Sequence, residues 1–232
     1  MGVIGDVTGR AAWAFGRKLA PAQAAGFVRS VLDRAIDGVG PLGSAAKSAD
    51  KQLRASGGAV EVAIRELIDG HVKLAGAEGF ITNLGGFITA AVTIPANITG
   101  LALIQCHLVA GIAHLRGYDL RHPNVRSAVL ACLLGKSGVR RMVRDGTLPA
   151  GPAELATATT VDPELNARVS RMITGDLITA VGGKRVAIFI GKRIPLAGGA
   201  IGGAADGYGT WQIGRFAAKE LRPAPRAPYA AR

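Results

Sequence analysis

Charge is what the middle of this chain lacks. From Gly79 to Leu115 there is not a single Asp, Glu, Lys or Arg. A stretch of that kind does not stay in water, and as helix it must be covered by protein or by lipid. Aromatic residues are also few, at 5%, whereas glycine numbers 33. Apolar bulk therefore comes from Ala, Leu, Ile and Val, and helices can approach one another closely. Only two cysteines occur, Cys106 and Cys132, both in apolar surroundings. They are expected to be free buried thiols in a reducing compartment, not a disulfide framework. Asp6 and Arg10 interrupt any N-terminal apolar run, so no secretory leader is expected. Met1-Gly2 opens like a myristoylation site, yet Asp6 stands where Ser or Thr is required.

Catalytic signatures are missing as well. The chain has no Gly-x-Gly-x-x-Gly, no His-Glu-x-x-His and no Gly-x-Ser-x-Gly. Gly135-Lys136-Ser137 looks like the end of a P-loop, but Leu130 occupies the place of its first glycine and the preceding residues read as helix. His107 and His114 share a helix face about 10 Å apart along the axis, too far to hold one metal ion. Each reads as a satisfied core histidine. No catalytic residue, metal or cofactor is expected, and the chain reads as a non-enzyme.

What the sequence does have is positive charge. Lys and Arg total 28 against 16 Asp and Glu, a net charge of +12, which draws an anionic partner, either acidic lipid or nucleic acid. The cations fall into small groups: Arg140, Arg141 and Arg144; Lys184 and Arg185; Lys192 and Arg193; Arg215, Lys219 and Arg222. The first three groups are candidate contacts for lipid headgroups. Aromatic residues are sparse beside these groups and no DNA-reading helix motif is present, which favours lipid over nucleic acid.

The elements read as all-α. Pro21 opens a helix carrying Phe27, Val28, Val31, Leu32, Ala35, Ile36 and Val39, ended by Gly38, Gly40 and Pro41. Residues 41–57 read as a linker or short weak helix. From Ala59, the residues Val60, Ala63, Ile64, Leu67 and Ile68 line one helix face, with Glu61–Arg65 and Arg65–Asp69 as i,i+4 pairs on the other. Pro95 is taken to divide the uncharged stretch into helices 81–93 and 95–116, the second stopped by Gly117. Those two form a central apolar hairpin. His122-Pro123-Asn124 opens a helix through Leu134, 137–144 is a short basic segment and 148–153 a loop. Asp162-Pro163-Glu164 starts another helix with a side-chain cap and a preset φ. Residues 186–190 fit a strand or a short buried helix, with helix favoured because no second strand candidate exists to pair with them, and 198–221 reads as the last helix. Three organisational units result: an N-terminal helical segment and linker (1–57), a helical domain (58–221) and a disordered basic, proline-rich tail (222–232).

Gly199, Gly203 and Gly207 recur every fourth residue, shadowed by Gly198 and Gly202. Such spacing leaves a flat groove where another backbone can pack, within the domain or between molecules. Glycine costs a helix about 1 kcal/mol per residue, so packing must offset it. Asp206, inside this run, is expected to be held by a basic partner. Membrane crossing by 95–115 is marginal. Its Ile, Leu and Val contribute about −2 to −5 kcal/mol on an insertion scale, opposed by Asn97, Gln105, His107 and His114. Residues 81–93 span only about 20 Å as helix, short of a bilayer core of about 30 Å.

Two stretches resemble the EcsC family of bacterial proteins. One runs from Gly79-Phe-Ile-Thr-Asn-Leu-Gly-Gly-Phe through Ile94-Pro95-Ala-Asn to His114-Leu-Arg-Gly-Tyr-Asp119, and the other is Ile194-Pro-Leu-Ala-Gly-Gly-Ala-Ile-Gly-Gly-Ala-Ala-Asp206 with Ile213-Gly214. The resemblance covers about 58–220. It implies membrane association and a setting beside a transporter, and it brings no catalytic residues. Residues and resemblance together predict a non-enzymatic cytoplasmic protein, peripheral to the inner face of the membrane. Basic clusters would bind anionic lipid and glycine-lined helices would pack, with homo-oligomer or membrane-protein partners. The alternative is a soluble, self-assembling scaffold that partners a membrane transporter.

Overall fold

Helix boundaries here are set by caps and prolines. The structure, a computed structural model, describes residues 21–39, 42–84, 90–164, 166–172 and 195–223. These are 77% helical and contain no strand, which makes the fold all-α. Helix α1 (Pro21–Asp37) stops at Gly38, whose φ of +97° only glycine adopts easily. A Cβ there would also lie 2.7 Å from the Gly43 and Ser44 backbone. Helix α2 (Ala45–Ala55) forms where a linker or weak helix is expected. Ser44 caps it by accepting the Lys47 N–H at 3.3 Å, and Ala45 and Ala49 are fully buried.

The hairpin is longer than its sequence reading. Helix α3 runs Val60–Leu84 and α4 runs Ala90–Leu115, so residues 81–84 continue α3 and Pro95 lies inside α4. The division at Pro95 is therefore corrected. As the sixth residue of α4, Pro95 forfeits only the bond to the Ala91 carbonyl, and the helix continues through it. Gly117 stops α4 as expected, at φ +86°, with Tyr118 N–H bonded to Ala113 O at 3.1 Å. His122 caps α5 (Pro123–Leu133) by accepting the Asn124 N–H. Gly135, at φ +65°, redirects the chain into α6 (Gly135–Arg144). The expected loop holds over 148–151, and its last two residues open α7 (Pro152–Thr157), which starts on a proline and is capped by the Gly151 N–H to Glu154 carboxylate bond. The Asp162 side chain accepts the Glu164 N–H at 2.9 Å, so the helix start read there is present. The last helix, α8 (Pro195–Glu220), begins at a proline three residues before the expected start. Residues 186–190 and the tail beyond Pro223 lie outside the described residues.

Helix α4 is the axis. It packs against α1, α2, α3, α5 and α8, and Leu108, Val109, Ala110, Ile112 and Ala113 are all 0% exposed. The uncharged stretch is thus covered by protein over this half. Core residues of α1 and α2 (Val31, Leu32, Ala35, Ala45, Ala49) join one cluster with Ile64, Leu67, Val129 and Ala217, so the core is continuous across residue 57. Glu61 pairs with Arg116, not Arg65. Arg126 pairs with Asp33, tying α5 to α1. Asn124 donates to the carbonyls of Ala158 and Thr160 at 2.9 and 3.0 Å, which pins that loop to α5.

Glycines mark the close approaches. A Cβ on Gly214 would come within 2.9 Å of Ile68 Cγ1 and 3.0 Å of Leu108 Cδ2, whereas one on Gly70 meets nothing within 4 Å. Gly214→Ala should therefore destabilise by about 1–3 kcal/mol through overpacking. Gly70→Ala, in open space on α3, should stabilise by about 0.5–1 kcal/mol. Urea unfolding of the two variants measures both, and shifts of the same sign would contradict this packing.

Candidate functional site

Two helices distant in sequence build a cationic cleft. Helix α6 is strongly two-faced: Gly138, Val139 and Met142 are buried, while Lys136, Arg140, Arg141 and Arg144 are exposed. Opposite stands the C-terminal half of α8, with Trp211, Arg215 and Lys219, and α4 closes the floor through Leu101 and Gln105. Gln105 also donates to the buried Thr210 hydroxyl at 3.2 Å, joining floor to wall. The cleft encloses about 1160 Å³ and is lined by seven Lys and Arg against two acids, Glu61 and Asp206.

The cations differ in freedom. Arg116, at the end of α4, has a side chain only 9% exposed. Its guanidinium is fixed by both Glu61 carboxylate oxygens and by the Ala218 carbonyl at 3.2 Å, so its charge is largely answered within the fold. The Arg116 Nε–H is buried without a partner among the described residues. Lys136, Arg140, Arg144, Arg215 and Lys219 are solvent-facing and supply the field that an incoming anion would meet.

Two aromatic side chains stand beside these charges. Tyr208 and Trp211 are 60% and 42% exposed and stack with ring centroids 5.9 Å apart. Arg215 lies 5.9 Å over the Trp211 ring. The sequence reading that aromatics are sparse near the cations is corrected here. That reading followed the chain, whereas Trp211 and Arg215 are one helical turn apart and α6 arrives from elsewhere in the sequence. The i,i+4 spacing of Trp211 and Arg215 was the available signal. Nothing in sequence pointed to Arg116 and Lys136 as cleft residues.

The other site residues separate clearly. Arg140, Arg141 and Arg144 do gather on one helix and line the cleft. Lys184, Arg185, Lys192 and Arg193 lie outside the described residues. Asp206 is half-buried on the cleft wall among the cations. Gly203 and Gly207 face α3 of the same chain: a Cβ on Gly207 would lie 3.4 Å from Val72 O, and one on Gly76 would lie 3.5 Å from Gly203 O. At these positions the glycine groove seats a neighbouring helix of its own domain. Gly198, Gly199 and Gly202 belong to α8, but their surroundings are outside the described residues.

The remaining polar chemistry is largely enclosed. His107 is in the core, where it meets His71 and Gly43, whereas His114 is not a core residue: its side chain is 32% exposed and its Nε2 lies 2.8 Å from Asp50 Oδ1. Among the described residues no group of three His, Cys, Asp or Glu could hold a metal ion. Leu130, ahead of Gly135-Lys136-Ser137, lies in α5, so no P-loop strand precedes that tripeptide. Burial pushes the Cys106 thiol up to about 12 and raises Cys132 as well, which leaves neither as a thiolate at neutral pH. Comparisons with known protein families, curated proteins and solved structures return no match to this chain.

The thiols give a direct check. Both cysteines are at most 1% exposed, so a thiol reagent at mildly alkaline pH should label neither in the native protein and both after denaturation. Rapid labelling of either without denaturant would contradict the enclosed core.

Proposed function

We infer that this chain is a non-enzymatic helical protein that associates peripherally with anionic membrane surfaces through the α6–α8 cleft, as its EcsC resemblance also implies. The observation that carries this reading is the gathering of six exposed cations, Lys136, Arg140, Arg141, Arg144, Arg215 and Lys219, around a cleft that Trp211 also lines, with exposed Tyr208 stacked on Trp211. Each cation near an acidic leaflet contributes about 1 kcal/mol, and the field extends about a Debye length into solution. Tyr and Trp suit the headgroup level, with an apolar ring body and a polar edge. Surface association is supported over crossing because the described part of α4 is covered by neighbouring helices. No helix among the described residues is long and apolar enough to cross a membrane. The cytoplasmic face of the membrane is the proposed location. A self-assembling scaffold has less support, since Gly203 and Gly207 are already occupied by α3. Single-stranded nucleic acid is the competing occupant, because bases also stack on aromatic rings beside cations.

Vesicle binding tests the proposal. With Trp13→Phe leaving Trp211 as the sole tryptophan, emission should shift to the blue on phosphatidylcholine vesicles doped with phosphatidylglycerol, and the shift should fade with added salt. Arg140→Ala combined with Arg144→Ala should weaken binding by about 2 kcal/mol, roughly 30-fold. Equal binding to neutral vesicles in high salt, or binding to a single-stranded oligonucleotide alone, would overturn it.

A further inference from the structure

Away from the cleft, four ring nitrogens form one hydrogen-bonded chain between α3, α4 and the turn that joins α1 to α2. His71 Nδ1 stands 2.7 Å from the Leu67 carbonyl oxygen, His71 Nε2 stands 2.8 Å from His107 Nδ1, and His107 Nε2 stands 3.0 Å from the Gly43 carbonyl oxygen. The two rings lie 5.0 Å apart between centroids, 25° from parallel. His71 is 7% exposed and His107 1%, so bulk water does not stand in for a missing partner.

Counting protons shows what this arrangement needs. A carbonyl oxygen only accepts, so His71 must carry hydrogen on Nδ1 and His107 on Nε2. A neutral imidazole has one such hydrogen. With those two placed, His71 Nε2 and His107 Nδ1 would face each other at 2.8 Å as two bare lone pairs, an arrangement that repels. All three contacts form together only when a third proton sits between the facing nitrogens and the pair carries one positive charge. Without that proton one contact opens. The Leu67 carbonyl keeps its backbone partner inside α3, whereas the Gly43 carbonyl belongs to a turn, so the Gly43 end is the one that yields.

We propose that His71 and His107 form a buried proton-binding site that takes up one proton as a unit and thereby fastens the Gly43 turn to the α3–α4 hairpin. The surroundings leave the charge to the pair itself. On α3, Glu66, Asp69 and Lys73 are exposed; on α2, Lys47 is exposed and Asp50 is engaged by His114. On α1, Arg34 and Asp37 are exposed and Asp33 is engaged by Arg126; on α8, Asp206 lies on the cleft wall. Cys106 beside His107 is an uncharged thiol. Burial holds His71 down to about 4, against its Leu67 bond and aided by the charge of His107; burial also lowers His107, against its Gly43 bond. Burial thus holds back the first proton as well, and the charge of His107 holds a second one on His71 lower still.

Ring-nitrogen NMR of the full chain with labelled histidine tests this. Signals are assigned by His71→Gln and His107→Gln, and independently by ring contacts to Leu67 and Gly43, so neither variant has to fold. Titrated from about pH 8 to about pH 4.5, His107 Nε2 should pass from bare to protonated at one midpoint, with total uptake of one proton, while His71 Nδ1 stays protonated and the facing His71 Nε2 and His107 Nδ1 share one hydrogen throughout. The Ser48 amide, bonded to Ser44 O at 3.0 Å just beyond the turn, should exchange more slowly over the same step. Two separate midpoints, or a His107 Nε2 that is already protonated at the start or still bare at the end of the titration, would overturn the proposal.

Discussion

The fold is organised around a central helix that carries no charge. The described half of α4 offers no charge to solvent, so most of its surface must be covered, and five other helices cover it, leaving Leu101 and Gln105 at the cleft floor and His114 partly exposed. That requirement explains features that look unrelated in sequence. Gly111 lets Leu67 and Ala49 reach the α4 backbone, Gly214 lets Ile68 and Leu108 reach the α8 backbone, and residues of α1 and α2 join the same core cluster. Removing water from apolar surface over most of one helix is a large favourable term. The glycines make it attainable by bringing neighbouring helices within contact distance.

The same constraint sends the charge outward. A chain of net charge +12 with an uncharged axis must carry its cations on the outer faces of the surrounding helices. On α6 the segregation is nearly complete. Where α6 and α8 diverge over the end of α4, those outer faces turn toward each other and make the cleft. Arg116 is the exception: it follows directly on the uncharged stretch, sits almost buried, and needs Glu61 and the Ala218 carbonyl to be tolerated there.

Local signals in the sequence were reliable and remote ones were not. Asp162-Pro163, His122-Pro123 and Gly117 mark helix ends through chemistry confined to a few residues, and each mark corresponds to a real boundary. The apolar stripe of α3 was equally legible, because a 3.6-residue period reports one buried face. Pro95 does not break α4, since a proline near a helix start forfeits a single backbone bond and the helix continues past it. The facing of α6 and α8 and the meeting of His71 with His107 depend on how helices cross in space. His71 does continue the stripe of Ile64, Leu67 and Ile68, so its burial could be read, but its partner could not.

The contact between α3 and α8 carries a consequence for synthesis. Gly203 meets Gly76 at backbone distance, yet it follows it by 127 residues in the chain. At ordinary elongation rates a ribosome needs roughly 6–25 s to cover that interval. During that time the nascent hairpin is without the helix that covers its small-residue face, so a growing polypeptide of this design has a defined period in which a chaperone would find it adhesive.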